Sequence, residues 1–424
     1  MLKINRKYAE RTDDKALAFI RKHSAGIPLD SAQAMVAFYK DVGQPWKSYK
    51  VIHVAGTNGK GSVVAMLSEI LQAQGLRVGT LTSPALLHIS ETVRVNNEVI
   101  PSTFVTEQVE RWHDKLKEHR LSLTAAMSAL AVKYFEEQQV DVAVIETNVG
   151  GRLDMTNAID SDISVFTSID LDHEHWLGYT VEDITIEKAG IMFPGKPAVI
   201  GLNSDEVSLQ LATIASKVGS KFAYAWLLNT VTGQEIHGSG QTFKIEHKGR
   251  HEYTIPLLGN HQAANLSTVL TTLDILYPDI APNIIQRGLT RLAWPGRMEI
   301  LSPDDPIVFY DTGHNGSATL AIIDTLRTLG YKDTTFVVAI QADKHIKYIT
   351  GPLSRWDGPV IYCPYRDGSD SSMTYEQFKA HDLEAVKTLR GAIGWAHRQK
   401  TSSICYLGSF HWSEELYARY QVHT

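Results

Sequence analysis

The feature that most constrains this chain is a seven-residue stretch, Gly56-Thr57-Asn58-Gly59-Lys60-Gly61-Ser62, set between two apolar patterns. Before it, residues 51–54 form a short apolar run that reads as a strand. After it, Val63, Met66, Leu67, Ile70 and Leu71 recur at helical spacing. Strand, glycine-rich turn and helix form the opening of an α/β unit. Successive small residues let backbone N–H groups converge on an anion, the helix N-terminus adds partial positive charge, and Lys60 adds a full one. A phosphate-binding loop is the expectation, with Ser62 placed to meet nucleotide phosphate or a metal. The general pattern GxxxxGK[ST] is not met strictly. Val54 stands where its first glycine belongs, and Gly61 where Ser or Thr would follow the lysine.

The same alternation continues along the chain. Strands are expected at 78–81, 142–145, 163–169 and 198–202, with a helix over 125–138. Two short helices are expected before residue 42, broken at Gly26-Ile27-Pro28. Residues 220–256 differ: Phe243 and Ile245, then Tyr253 and Ile255, alternate like a small antiparallel sheet. A helix is expected from His261 to about Leu276. Beyond Trp294-Pro295-Gly296-Arg297, strands at 307–310, 335–340, 359–362 and 404–407 alternate with helices. The expected fold class is α/β: a P-loop-type, mostly parallel, doubly wound sheet with a small appended antiparallel sheet, plus a second, smaller Rossmann-like α/β domain. The expected domains are 1–297 and 298–424.

Composition excludes several classes of function. A formal charge of −6, with Lys and Arg scattered, offers no basic face for nucleic acid. Two cysteines, Cys363 and Cys405, support neither a disulfide framework nor a Cys-rich zinc site, and suit a reducing compartment. No stretch approaches the roughly 18 apolar residues of a membrane span, and the basic N-terminal residues lack the apolar segment of a signal peptide. A cytoplasmic protein without membrane or nucleic-acid partners is expected.

The loop, preceded by Val54-Ala55, resembles the ATP loop of the Mur ligase superfamily, in the branch of folylpolyglutamate and dihydrofolate synthases. Further matches follow in order over nearly the whole chain. Thr82-Ser83-Pro84 resembles the TSP turn of that family. Glu146, Gly150-Gly151-Arg152-Leu153-Asp154 and Thr156-Asn157 resemble EVGLGGRLDATN. Leu171-Asp172-His173, Trp176-Leu177-Gly178 and Glu187-Lys188-Ala189-Gly190-Ile191 match LDH…WLG…EKAGI. Gly259, His261-Gln262 and Asn265 match GxHQxxN, Pro295-Gly296-Arg297 matches PGR, and Asp311, His314 and Asn315 resemble DGAHN.

The resemblance implies an ATP-dependent amide ligase that adds L-glutamate to the tail of a folate through an acyl phosphate, as a monomer. It implies Mg²⁺ at Ser83 and Glu146, a second Mg²⁺ at Glu146 and His173, and a carbamylated Lys188. The catalytic set is then Lys60, Glu146, His173, Lys188 and His314. ATP falls to the loop residues Gly56 through Ser62, with Asn265 on the adenine side, Arg297 on the phosphates and Asp311 at the ribose or between domains. His314 and Ser409 are implied to hold the incoming amino acid.

The acceptor half departs from the family. Where a His-Leu pair and then Glu-Arg follow TSP, this chain has Ala85, Ser90, Glu91 and Thr92. The segment TxFE becomes Thr124-Ala125-Ala126-Met127, without the aromatic and the acid. DKD becomes Asp343-Lys344-His345. A remodelled pterin pocket, a ligase for another acid or for dihydropteroate, and a nucleotide-binding protein without turnover all remain open at this point.

Overall fold

The computed structural model describes residues 12–24, 32–238, 240–365 and 372–421. The turn expected at Gly26–Pro28 lies outside them, but helices flank it at Asp14–Ser24 and Ala32–Val42. Strands β1 (Lys50–Ala55), β2 (Val78–Leu81), β3 (Val93–Val95), β4 (Glu98–Val99), β5 (Val142–Glu146), β6 (Ile163–Phe166), β7 (Ala198–Ile200) and β8 (Phe222–Tyr224) make one sheet. Its order is β4-β3-β2-β5-β1-β6-β7-β8. From β2 to β8 all pairs are parallel, while β2–β3 and β3–β4 are antiparallel. Central strands such as β5 are buried along their whole length, as expected when helices cover both faces. The hairpin β3–β4 carries too few residues for any periodic signal, and the sequence did not announce it.

Two further differences have physical reasons. Residues 222–224 extend the main sheet as a parallel edge strand and do not join the antiparallel unit. That unit is β9 (Thr230–His237), β10 (Gly240–Glu246) and β11 (Arg250–Ile255), ordered β11-β10-β9. It is not a separate layer: Phe243, Ile245, Tyr253 and Ile255 share one core with Val63, Met66 and Leu67 of the helix that follows the loop. That helix, Lys60–Ala73, is buried on nearly every side, so its apolar residues are not one stripe but a whole circumference. Helices Pro282–Thr290 and His261–Leu276 cover the side that the sheet leaves free.

The last sheet is β12 (Glu299–Ser302), β13 (Ile307–Asp311), β14 (Thr335–Val338), β15 (Val360–Tyr362) and β16 (Ser403–Leu407), ordered β12-β13-β16-β14-β15. It is parallel except at β12. In the first sheet β1 lies between β5 and β6, and the carboxyl ends of these three strands and the segments that leave them hold Gly56–Ser62, Glu146 and Asp172–His173. Ligands of open α/β sheets bind at such carboxyl ends, where the strand order reverses.

Candidate active site

The loop after β1 is tied down by the end of β6. Thr57 N–H donates to the Ser168 carbonyl at 2.7 Å, Thr57 Oγ1 donates to the Asp170 carbonyl at 2.9 Å, and Thr167 Oγ1 donates to the Asn58 carbonyl at 2.7 Å. Two glycines make this possible. A Cβ on Gly56 would lie 1.8 Å from Thr167 Oγ1. Gly59 sits at φ +89°, and a Cβ there would lie 2.4 Å from Asn265 Oδ1. Lys60, at the start of the helix, folds back on the loop. Its Nζ donates to the carbonyls of Gly56 (3.1 Å) and Thr57 (3.2 Å) and lies 3.8 Å from Glu146 Oε1.

Glu146 ends β5 and is buried. Burial pushes its carboxyl above the usual range, against the pull of Lys60. Its polar neighbours are few: Lys60 at 3.8 Å and the Ser83 N–H at 3.4 Å. A buried carboxylate with so little direct hydrogen bonding suits a hard divalent cation, and Ser83, whose backbone meets it and which lines the same cavity, is a residue type that can add a hydroxyl ligand, so the pair fits Mg²⁺.

Lys188 reaches the loop from below, donating to the Gly56 carbonyl at 2.8 Å. Burial, aided by the nearby Lys60 charge, lowers its ammonium to about 7. His173 is lowered by burial to about 4 and is thus the neutral imidazole at neutral pH, the form that ligates metal. It lies with Asp172 and His314 in a group whose ligand atoms fall within 4.8 Å of one another.

Asp172 organises that group, and the sequence reading quoted it without giving it a role. Its Oδ1 accepts from the Lys344 ammonium, and its Oδ2 accepts from Asn315 Nδ2 at 3.0 Å. His314 Nε2 lies 3.8 Å from Oδ2, while His314 Nδ1 donates to the Thr312 carbonyl at 3.1 Å. Burial opposes ionisation of Asp172, but its cationic neighbours hold it well below the usual carboxylate range. Burial makes His173 neutral at neutral pH and lowers His314 as well, which leaves the Lys344 charge as the one that counts there. Lys344 belongs to the altered Asp343-Lys344-His345 segment, so that segment keeps its central residue in the site. Asn58 extends the same seam, donating to Ser317 Oγ at 2.9 Å.

A cavity of about 320 Å³ opens between the loop and the second sheet. It is lined by Thr57 through Ser62, Ser83, Glu146, Asn265, Arg297, Asp311 and His314. Leu202, His261 and Ile322 also line it, apolar and ring surfaces that had no site role in the sequence reading, although His261 stands in the GxHQxxN match. Arg297 bonds Thr312, and both Asp311 oxygens are taken, Oδ1 by Gly313 N–H (2.7 Å) and Oδ2 by Met298 N–H (2.8 Å). Asp311 thus pins the segment joining the two sheets. His173, Lys188 and Ser409 do not line the cavity. The buried Ser409 hydroxyl accepts from His411 N–H at 3.1 Å and caps a turn.

A second cavity of about 240 Å³ adjoins the first, and Ser83, Pro84 and Glu146 line both. Ala85, Thr92 and Met127, three of the positions that depart from the family, line it too, beside Thr124. Glu91 does not: its Oε1 accepts from the N–H groups of Leu86 and Leu87 (the latter at 2.8 Å), holding the loop after Pro84.

A phosphate loop facing a buried carboxylate, with a second cavity at that junction, is the site of an ATP-dependent ligase. A family model for the Mur ligase middle domain matches residues 54–273. The chain is 33% identical over 336 residues to a folylpolyglutamate synthase of Lacticaseibacillus casei, covering 76% of this chain and 78% of that one. It is 31% identical over 373 residues to a dihydrofolate synthase/folylpolyglutamate synthase of Escherichia coli, covering 85% and 84%. A solved complex of a folylpolyglutamate synthase with AMPPCP and folate superposes with a TM-score of 0.83 at 27% identity, covering 97% of this chain and 99% of the other. The chain belongs to the folylpolyglutamate and dihydrofolate synthase family of Mur ligases. No described helix is long and apolar enough to cross a membrane.

Proposed function

We propose that this enzyme adds L-glutamate to the glutamyl tail of a reduced folate, and that the meeting of the two cavities at Ser83 and Glu146 is where the acid is activated. The observation that carries this reading is the shared lining. A carboxylate at the inner end of the second cavity faces the phosphoryl end of the first. The γ-phosphoryl group passes to that carboxylate and leaves ADP. Lys60 neutralises charge on the transferred group, and loop N–H groups hold the remaining phosphates. The amine of glutamate then attacks the acyl phosphate, and the tetrahedral intermediate collapses to amide and phosphate. His314, held by the Thr312 carbonyl and facing Asp172, orients the amino acid together with the turn at Ser409.

Mg²⁺ is assigned to Ser83 and Glu146, with a second at Glu146 and His173; when bound, it offsets negative charge on the phosphates. Lys188 is assigned as the site of carbamylation. Its lowered ammonium leaves much free amine at neutral pH, the form that adds CO₂. The working unit is read as a cytoplasmic monomer of two domains, 1–297 and 298–424, whose closure excludes water from the acyl phosphate. Asn265, Arg297 and Asp311 are its nucleotide contacts.

The test is phosphate release by the purified protein with Mg-ATP and L-glutamate, run with tetrahydrofolate, with dihydropteroate and with no acceptor. Release that depends on tetrahydrofolate is expected. Release with dihydropteroate alone would make the enzyme a dihydrofolate synthase. No release with either pterin would discard the folate reading, in favour of another acid or of a nucleotide binder without turnover.

A further inference from the structure

The second cavity is walled on the first-sheet side by aliphatic and small polar side chains, among them Pro84, Ala85, Ile89, Thr124, Met127 and Met155. None of these has a π face. Among the described residues one aromatic lines the cavity, and it comes from the other sheet: Phe410, in the turn that follows β16. We infer that Phe410 is the acceptor-specificity residue of this enzyme, supplying across the interface between the two sheets the flat apolar face against which the ring system of the acceptor lies. This rests on the folate reading proposed above.

Three observations support it. Phe410 is half-buried and has ring support behind it. Its centroid lies 4.3 Å from that of His411, and His411 stacks on Tyr365 at 4.7 Å with 10° between planes. A side chain backed in this way is held in one orientation and leaves a face for a ligand. Ser128 of helix Leu123–Glu137 lines the same cavity, and its hydroxyl is buried without a hydrogen-bond partner among the described residues. A buried hydroxyl in that condition carries a cost that a hydrogen bond to a heteroatom of the bound ring would relieve. Finally, Phe410 directly follows Ser409, whose turn is assigned above to the amino acid, and on that assignment one turn serves both substrates. Acceptor binding and closure of the second sheet over the loop are therefore coupled. An acceptor bound before closure meets the aliphatic wall alone.

The test compares Phe410→Ala, Phe410→Leu and Phe410→Tyr with the unaltered enzyme in steady-state phosphate release. The acceptor, ATP and glutamate are each varied in turn. Loss of the ring is expected to raise the acceptor KM by about tenfold in Phe410→Ala, and by less in Phe410→Leu. KM for ATP and the thermal midpoint should hold, and Phe410→Tyr should restore the acceptor KM. Turnover of a pterin by the unaltered enzyme, with acceptor KM the same in all variants, overturns this inference and leaves the folate reading intact. A fall in kcat and rise in all three KM values together would also overturn it, because that marks general damage to the turn. Absence of turnover with either pterin in the unaltered enzyme removes the folate reading, and this inference with it.

Discussion

Lys188 illustrates how much depends on the surroundings of a single side chain. The sequence places it in a helix, Val181–Ala189, where a lysine would ordinarily point to solvent. The fold buries it under the loop instead, against the Gly56 carbonyl. Its ammonium falls from 10.5 to about 7, so between those values the unfolded chain binds more protons than the folded one. That difference makes stability rise with pH across the window, and the full penalty is present below about 7. Lys188→Met should therefore stabilise the fold at neutral pH, by on the order of 1–3 kcal/mol, and flatten the dependence up to pH 10.5. The Gly56 carbonyl keeps Lys60 as a donor, so nothing is orphaned. Phosphate release should fall in the same variant. Chemical denaturation from pH 6 to 10 checks this. Lower stability for Lys188→Met would instead mark the residue as stabilising, the sign expected of an anionic carbamate among cations.

At the scale of elements, the loop is the clearest case of a local signal that tertiary contact completes. Its glycine pattern was legible as an anion cradle, but not that Gly59 would also have to admit Asn265 of helix His261–Leu276. Gly59→Ala is expected to cost about 1–3 kcal/mol, because alanine meets both the positive φ and the asparagine. It should also weaken nucleotide binding, which titration with a fluorescent ADP analogue would detect. Unchanged affinity would mean that the loop yields more readily than its contacts imply. Long, uniformly apolar strands were placed well from sequence, β1 and β5 to within a residue or so. The hairpin β3–β4 and the edge strand β8 were not, since runs of two or three residues have no period to read.

For the whole molecule, the seam between the sheets is held by a buried ion pair, Asp172 with Lys344, both nearly inaccessible. Removing one partner leaves an uncompensated buried charge, so Lys344→Met should lose about 3–5 kcal/mol. Adding Asp172→Asn should recover part of that loss. Asp172 is held below the usual carboxylate range, so its contribution is present above the unfolded value of 3.8 and fades as pH falls below it. Lys344→Met should accordingly lose less, relative to the unaltered protein, in acid than at neutral pH, as measured by urea unfolding. Equal loss at all pH values would show that packing, not charge, holds the seam. What the sequence alone determined was the alternation of strands and helices, the phosphate loop and the family, because these reside in short-range spacing and in ordered motifs. Only the tertiary structure decided that Asp172 meets Lys344, Asn315 and His314, that Lys188 is buried, and that Phe410 enters the second cavity. Those contacts join residues from about 130 to more than 300 positions apart. No local period encodes such distances; packing the two sheets together creates them.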